Sequence, residues 1–289
     1  MELTILSGKG GTGKTTIATA LAELEKDAIR VDCDVDAPNL YLFYEGKDIR
    51  KENFIAGKKA IICKELCENC GRCINVCKFS AIKDFEVDDF TCEGCGACTL
   101  VCPNNAIKLN DDKIADVFLT ELEEGIISRA EMEIGSDGSG KLISQLKKNS
   151  RDVNNGEKLT IIDGSPGIGC PVISSITGSD AVLIVTEPTK SALKDLLRIL
   201  ELCNHFNVFT MICINKYDIN NEVSVEIEEL AKVNNLIIVG KIPYDDMVIK
   251  SINELKPITN YKDSIAKIEI EKMWINIKNK IEKLGGIKL

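Results

Sequence analysis

The hydrophobic and polar positions along the chain follow two periods. Short apolar runs at residues 3–6, 28–31, 159–162, 180–186, 208–214 and 236–240 read as buried strands. Between them, apolar residues recur at three- and four-residue steps and predict helices over 17–24, 142–148, 191–204 and 222–233. A last helix over 270–284 would carry Ile270, Met273, Trp274, Ile277, Ile281 and Leu284 on one face; alternating Glu and Lys dilute any basic face, so it reads as packed on the sheet. Strands alternating with helices predict an α/β architecture, doubly wound about a mostly parallel sheet. The middle of the chain departs from this pattern. Short strands at 59–63 and 106–109 bracket a cysteine-rich stretch, weak alternation over 113–129 predicts a hairpin, and 149–158 reads as a polar linker.

The first strand runs straight into Gly8-Lys9-Gly10-Gly11-Thr12-Gly13-Lys14-Thr15-Thr16, and a helical pattern follows. Strand, glycine loop and helix, with the spacing Gly-x4-Gly-Lys-Thr, form a phosphate-binding P-loop. Glycines let successive backbone N–H groups converge on phosphate oxygens, and the helix N-terminus adds partial positive charge. Lys14 then reaches the β- and γ-phosphates, and the Thr15 hydroxyl ligates Mg²⁺. A second Gly-x4-Gly-Lys at 135–141 has Leu142 where the metal needs a hydroxyl, so it reads as a turn that starts a helix.

The segments 67–82 and 92–107 are a repeat: shifted by 25, nine of 16 positions are identical. Both copies carry Cys-x2-Cys-x2-Cys-x3-Cys, the spacing of bacterial two-cluster ferredoxins, in which each fourth cysteine serves the other cluster. On that pattern Cys67, Cys70, Cys73 and Cys102 hold one [4Fe–4S] cluster, and Cys92, Cys95, Cys98 and Cys77 hold the other. Two zinc sites are the alternative. Lys78 stands where Pro103 follows the fourth cysteine of the second copy. The segment resembles a complete bacterial-type ferredoxin, a small α+β domain over 59–109 inserted into a P-loop domain made of 1–58 and 110–289.

Composition narrows the setting. The 289 residues are 44% hydrophobic, enough for a sizeable core, and the net charge of −9 argues against a general nucleic-acid surface. No apolar run approaches membrane-spanning length, and the first residues enter a strand directly. Thirteen cysteines then fit metal sites in a reducing compartment, which points to the cytoplasm. Cys170 reads either as a small buried residue or as a functional thiol.

The loop with Lys9 resembles the deviant P-loop of the MinD/ParA/Mrp/nitrogenase-iron-protein group of ATPases. The resemblance covers nearly the whole chain and implies several roles. Lys9 would cross an ATP-dependent dimer interface to the partner's nucleotide. Val-Asp-x-Asp-x-x-x-x-Asn-Leu at 31–40 looks like switch I, with Asp34 orienting the attacking water or touching Mg²⁺ through water, and Asp32 supporting the loop; Asp36 has no assigned role. Ile-Ile-Asp-x-x-Pro-Gly at 161–167 looks like Walker B and switch II, with Asp163 on Mg²⁺ and the Gly167 N–H on the γ-phosphate. Asn-Lys-x-Asp at 215–218 reads guanine in GTPases, but in the ATP-binding relatives the Asn contacts adenine. The longer match favours ATP, with Asn215, Asp218 and Pro243 around the base. Together these imply an ATP-hydrolysing iron–sulfur protein, acting as a homodimer or a dimer with a related ATPase. It would deliver electrons to a redox partner, without nucleic acid or membrane. A cluster carrier, or a partner-recruiting switch with structural clusters, are the other readings.

Overall fold

The structure, a computed structural model, describes residues 1–154, 156 and 158–285. Strand β1 (Glu2–Ser7) leads through the glycine loop to helix α1 (Lys14–Leu24), and β2 (Ile29–Asp32) follows. The long strand β3 (Gly46–Ile62) opens the cysteine-rich region. That region holds α2 (Arg72–Val76), the antiparallel pair β4 (Ile82–Lys83) and β5 (Glu86–Val87), and α3 (Ala97–Val101). Then come β6 (Ile107–Leu122), a turn closed by Leu122 N–H on Gly125 O, β7 (Ile126–Met132) and α4 (Ser139–Asn154). The remainder alternates: β8 (Thr160–Pro166), α5 (Cys170–Ile176), β9 (Ala181–Thr186), α6 (Lys190–His205) and β10 (Phe209–Asn215). It finishes with α7 (Asn221–Val233), β11 (Ile237–Ile242), α8 (Asp246–Asn253) and α9 (Ile265–Gly285).

The chain divides into two compact units. The first comprises Met1–Lys51, Val117–Ala130 and Ser139–Leu289; the second comprises Glu52–Asp116 and Glu131–Gly138. The sheet order is β11-β10-β9-β1-β8-β2-β7-β6-β3, and the pairs from β11 through to β7 are parallel. Alternation along each central strand feeds two cores. Leu3 and Ile5 of β1, Leu183 of β9 and Met211 of β10 pack with Ile17 and Leu21 of α1 and with Ile270, Met273 and Trp274 of α9. Leu6, Ile184 and Ile212, one position along, pack on the other face with Val172 of α5, Leu196 and Ile199 of α6 and Ile227 of α7. Helices therefore cover both faces, as a parallel sheet requires. Ligands bind such sheets beyond the carboxyl ends of the strands, where the P-loop, Asp32, Asp163 and Asn215 all lie.

The second unit preserves the sequence repeat in its backbone. Gly71 and Gly96 precede α2 and α3 with φ of +73° and +79°. Asn69 and Gly94 match at +55° and +57°, and Ser80 and Asn105 at +54° and +52°. Ala60, Cys73, Ile82, Cys98 and Ile107 form its small core.

Three expectations need correction, and one helix went unread. The strands expected at 59–63 and 106–109 are only parts of β3 and β6; most of 46–58 is exposed, so no buried stripe marks the strand. The expected linker at 149–158 is helical to Asn154, and its polar residues Asn149, Ser150 and Asn154 are buried. Asn154 Nδ2 donates to Lys158 O at 2.8 Å and to Thr160 Oγ1 at 3.0 Å. Residues 155 and 157 lie outside the described set. Helix α8, N-capped by Asp245, was not anticipated. Cys170 is exposed, not buried. On the terminal helix, Ile270, Met273, Trp274, Ile277 and Ile281 are buried in the core as expected, and the side chain of Leu284 lies outside the described residues. None of the described helices is long and apolar enough to cross a membrane.

Candidate functional site

The P-loop turns at Gly11 and Gly13, with φ of +80° and +90°. A Cβ at Gly13 would lie 2.4 Å from Asn215 Nδ2, so both backbone strain and space require glycine there. Helix α1 begins at once, which puts Lys14 and Thr15 in its first turn. Lys14 is 5% exposed, and its ammonium lies 2.5 Å from Asp163 Oδ1 and 3.5 Å from Asp34 Oδ2. The Thr15 hydroxyl donates to Asp163 Oδ2 at 2.6 Å. Asp163, within β8, and Asp32, at the end of the neighbouring β2 and in register with it, are both fully buried.

These carboxylates control the local charge. Burial would lower the Lys14 pKa, but Asp163 and Asp34 outweigh it and hold the lysine above its ordinary value. Burial, reinforced by the like charge of Asp163, pushes Asp32 up to about 8. Burial likewise raises Asp34, with Lys14 opposing. Asp32 accepts from Asp34 N–H at 3.2 Å and from Leu40 N–H at 3.0 Å, so it braces the loop that carries Asp34. Asp36 is exposed. The site thus gathers Lys14, Thr15, Asp34 and Asp163 at one point beside the loop formed by Gly8, Gly10, Gly11 and Gly13, with Thr16 next in the first turn of α1. Thr12 Oγ1 is buried there without a partner.

Other predicted residues are engaged within the chain. The Gly167 N–H donates to Ser7 O at 2.9 Å, so in this state it does not face a phosphate. Asn215 Nδ2 donates to Thr12 O at 2.8 Å. Asp218 accepts from the Tyr244 N–H at 2.8 Å, which ties the segment after Pro243 to the Asn-Lys-x-Asp loop. Lys9 turns back onto its own chain: its ammonium is 2.6 Å from Glu187 Oε1. Sequence reasoning missed Glu187, although an acid directly after β9 at the ligand-binding edge was the available signal.

In the second unit the eight cysteines line two cavities, each of about 20 Å³. Cys67, Cys70, Cys73 and Cys102 line one, and Cys77, Cys92, Cys95 and Cys98 line the other. Each cavity therefore takes three cysteines from one repeat and the fourth from its mate. Backbone N–H groups of Ala81 and Ala106, at matched positions, donate to Cys77 Sγ at 3.4 Å and Cys102 Sγ at 3.3 Å. The Ala60 N–H does the same to Cys92 Sγ at 3.5 Å. Burial raises the Cys73 and Cys98 thiols. Among the described residues no group of three or more His, Cys, Asp or Glu side chains closes tightly enough to hold a metal ion.

The profile of the CbiA family, the CobQ/CobB/MinD/ParA nucleotide binding domain, matches residues 3–258. The uncharacterized protein MJ0578 of Methanocaldococcus jannaschii is 41% identical over 228 residues, covering 76% of this chain and 80% of that one. The uncharacterized ATP-binding protein MJ0823 of the same organism is 30% identical over 288 residues, covering 95% of this chain and 98% of its own length. Among solved structures, the septum site-determining protein MinD complexed with Mg-ADP, from Pyrococcus horikoshii, superposes with a TM-score of 0.60. It is 19% identical and covers 100% of this chain and 98% of that chain, a likeness of fold. With the P-loop and its strand-end acids assembled as that fold requires, the chain belongs to the CobQ/CobB/MinD/ParA family of nucleotide-binding proteins.

Proposed function

We propose that the chain is an ATP-hydrolysing switch whose nucleotide-dependent dimer times electron transfer through two [4Fe–4S] clusters to a redox protein. The observation that carries the reading is the pair of cavities, each lined by one interleaved cysteine quartet. The spacing is that of two-cluster ferredoxins, and the N–H groups aimed at Cys77, Cys92 and Cys102 are the kind of hydrogen bond that tunes cluster potential. A single zinc ion draws its thiolates to about 2.3 Å from one point, and the metal content of the purified chain decides between zinc and clusters. When bound, the clusters would supply one-electron redox steps.

The nucleotide is ATP, supported by the MJ0823 name and by the Mg-ADP in the Pyrococcus protein. Lys14 takes the β- and γ-phosphates, and its charge would pass from Asp163 to the phosphates as they arrive. Thr15 and Asp163 would hold Mg²⁺, Asp163 directly or through a water, and Asp34, on the loop braced by Asp32, would orient the attacking water. Lys9 of the partner subunit neutralises charge on the transferring phosphoryl. The partner is a second copy or a related ATPase, in a reducing compartment such as the cytoplasm. Quartets that ligate every cluster corner favour electron transfer over cluster donation.

Anaerobic purification tests the reading, with iron and sulfide analysis and EPR with and without ATP. About eight irons per chain, with a signal or potential that responds to ATP, is the expected result. Zinc in the quartets would sink the electron-transfer reading. A Lys9→Ala chain that hydrolyses ATP at the normal rate would sink the dimer mechanism.

A further inference from the structure

We infer that Glu187 is a latch that holds Lys9 on its own subunit and sets the threshold for the dimer; the inference rests on the dimer reading above. Glu187 directly follows β9, and its side chain is only 16% exposed. Its Oε1 lies 2.6 Å from Lys9 Nζ. Lys9 Nζ is also 3.4 Å from Thr189 Oγ1 and 3.5 Å from Ser191 Oγ. Three acceptors, Glu187 and Thr189 before α6 and Ser191 in its first turn, therefore hold the ammonium. Thr189 is itself fixed, because its hydroxyl oxygen caps α6 by accepting from the Ala192 N–H at 3.2 Å. A lysine bound in this way cannot reach a nucleotide on another subunit.

Glu187 serves a second cation. Its Oε2 lies 3.7 Å from Lys216 Nζ, and Lys216 Nζ donates to Gly11 O in the P-loop at 3.3 Å. One carboxylate thus ties Lys9, the P-loop and the Asn215–Asp218 loop together. When Lys9 leaves for the partner, Glu187 keeps Lys216, and its charge stays paired. The exchange lowers the cost of release and keeps the base-contacting loop seated on the P-loop as the dimer forms. Glu187 is accordingly a positioning residue: it acts through Lys9 and touches no reacting atom.

An ion pair this open is worth a factor of about two to five. Two latches break per dimer, so removing them should tighten the dimer about four- to twenty-five-fold. The test uses the full-length chain with Glu187→Gln, which keeps the shape and removes the charge. In the nucleotide-free chain, acetylation of Lys9 by an amine-reactive ester, read by peptide mass spectrometry, should quicken two- to five-fold, with Lys190 unchanged as the control. Equal Lys9 rates in both chains would overturn the latch. With Mg²⁺ and a non-hydrolysable ATP analogue, sedimentation should show the variant dimerising at correspondingly lower protein concentration. An unchanged or weaker dimer would overturn the threshold role. Lys216→Gln leaves the Lys9–Glu187 pair in place and should not tighten the dimer; equal tightening would show that the effect does not run through Lys9. If neither chain dimerises, the dimer reading and the threshold role fall together, and the acetylation rates still decide whether the latch exists.

Discussion

Gly94 stands between Cys92 and Cys95, and replacing it with alanine tests how tightly the second cysteine quartet is built. The new Cβ would lie 1.9 Å from the carbonyl oxygen of Lys58, where ordinary contact begins at 3.4 Å. The backbone of β3 would have to withdraw by 3.4 minus 1.9, or about 1.5 Å, and strand pairing resists that. The residue also sits at φ +57°, which costs an alanine about 1–2 kcal/mol. Overpacking adds about 1–3 kcal/mol, so the substitution should cost about 2–5 kcal/mol in all. Gly71 supplies the control: its φ is +73°, but a Cβ there meets nothing within 4 Å. Gly71→Ala should therefore cost only the backbone strain, about 1–2 kcal/mol. Two measurements on the full-length chain separate the variants. Amide exchange over residues 52–62, without iron, should quicken far more for Gly94→Ala than for Gly71→Ala. After anaerobic reconstitution, Gly94→Ala should retain less iron. If the two variants exchange and load alike, the close approach to Lys58 contributes nothing, and the packing argument for the quartet fails.

Three further outcomes follow from the geometry. Lys14→Met leaves the buried Asp163 and Asp32 without their cation, and should destabilise the nucleotide-free protein by about 3 kcal/mol in urea unfolding, beyond its loss of nucleotide binding; wild-type stability would refute this. Cys102→Ala should lose the iron held with Cys67, Cys70 and Cys73 and keep the other EPR signal, whereas loss of the Cys92–Cys95–Cys98 centre instead would refute the interleaving. Lys147 is buried, and that burial lowers its pKa, so between the lowered value and 10.5 the unfolded chain binds more protons and stability rises with pH; in Lys147→Met that rise, measured against wild type from neutral pH upward, should vanish.

What could be read in the sequence was chemistry carried by neighbouring residues. The P-loop, the Ile-Ile-Asp run of β8 and the two Cys-x2-Cys-x2-Cys-x3-Cys repeats are short contiguous patterns, recognisable by their spacing. The central strands were legible because both faces are buried, which leaves an uninterrupted apolar run. What was hidden depends on distant partners. Arg30 interrupts the apolar run of β2, and the sequence does not show what its charge would meet there; it is 2% exposed. Its guanidinium donates to the carbonyls of Ala22, Ala28 and Glu124, the first of these in the last turn of α1. Lys147 looks like one of several solvated lysines on α4, but it donates to Ser175 O at 2.6 Å and Thr177 O at 2.9 Å, at the end of α5. The length of β3 was hidden because backbone pairing, not a buried stripe, defines most of it.

The bond between the Thr15 hydroxyl and the Asp163 carboxylate has a kinetic consequence. In the resting chain the two oxygens suited to a cation are spent on each other, and Lys14 guards the same carboxylate. On the proposed reading, a free divalent ion would have to displace both from Asp163, whereas a triphosphate would draw the lysine away and leave the carboxylate open to the metal it brings.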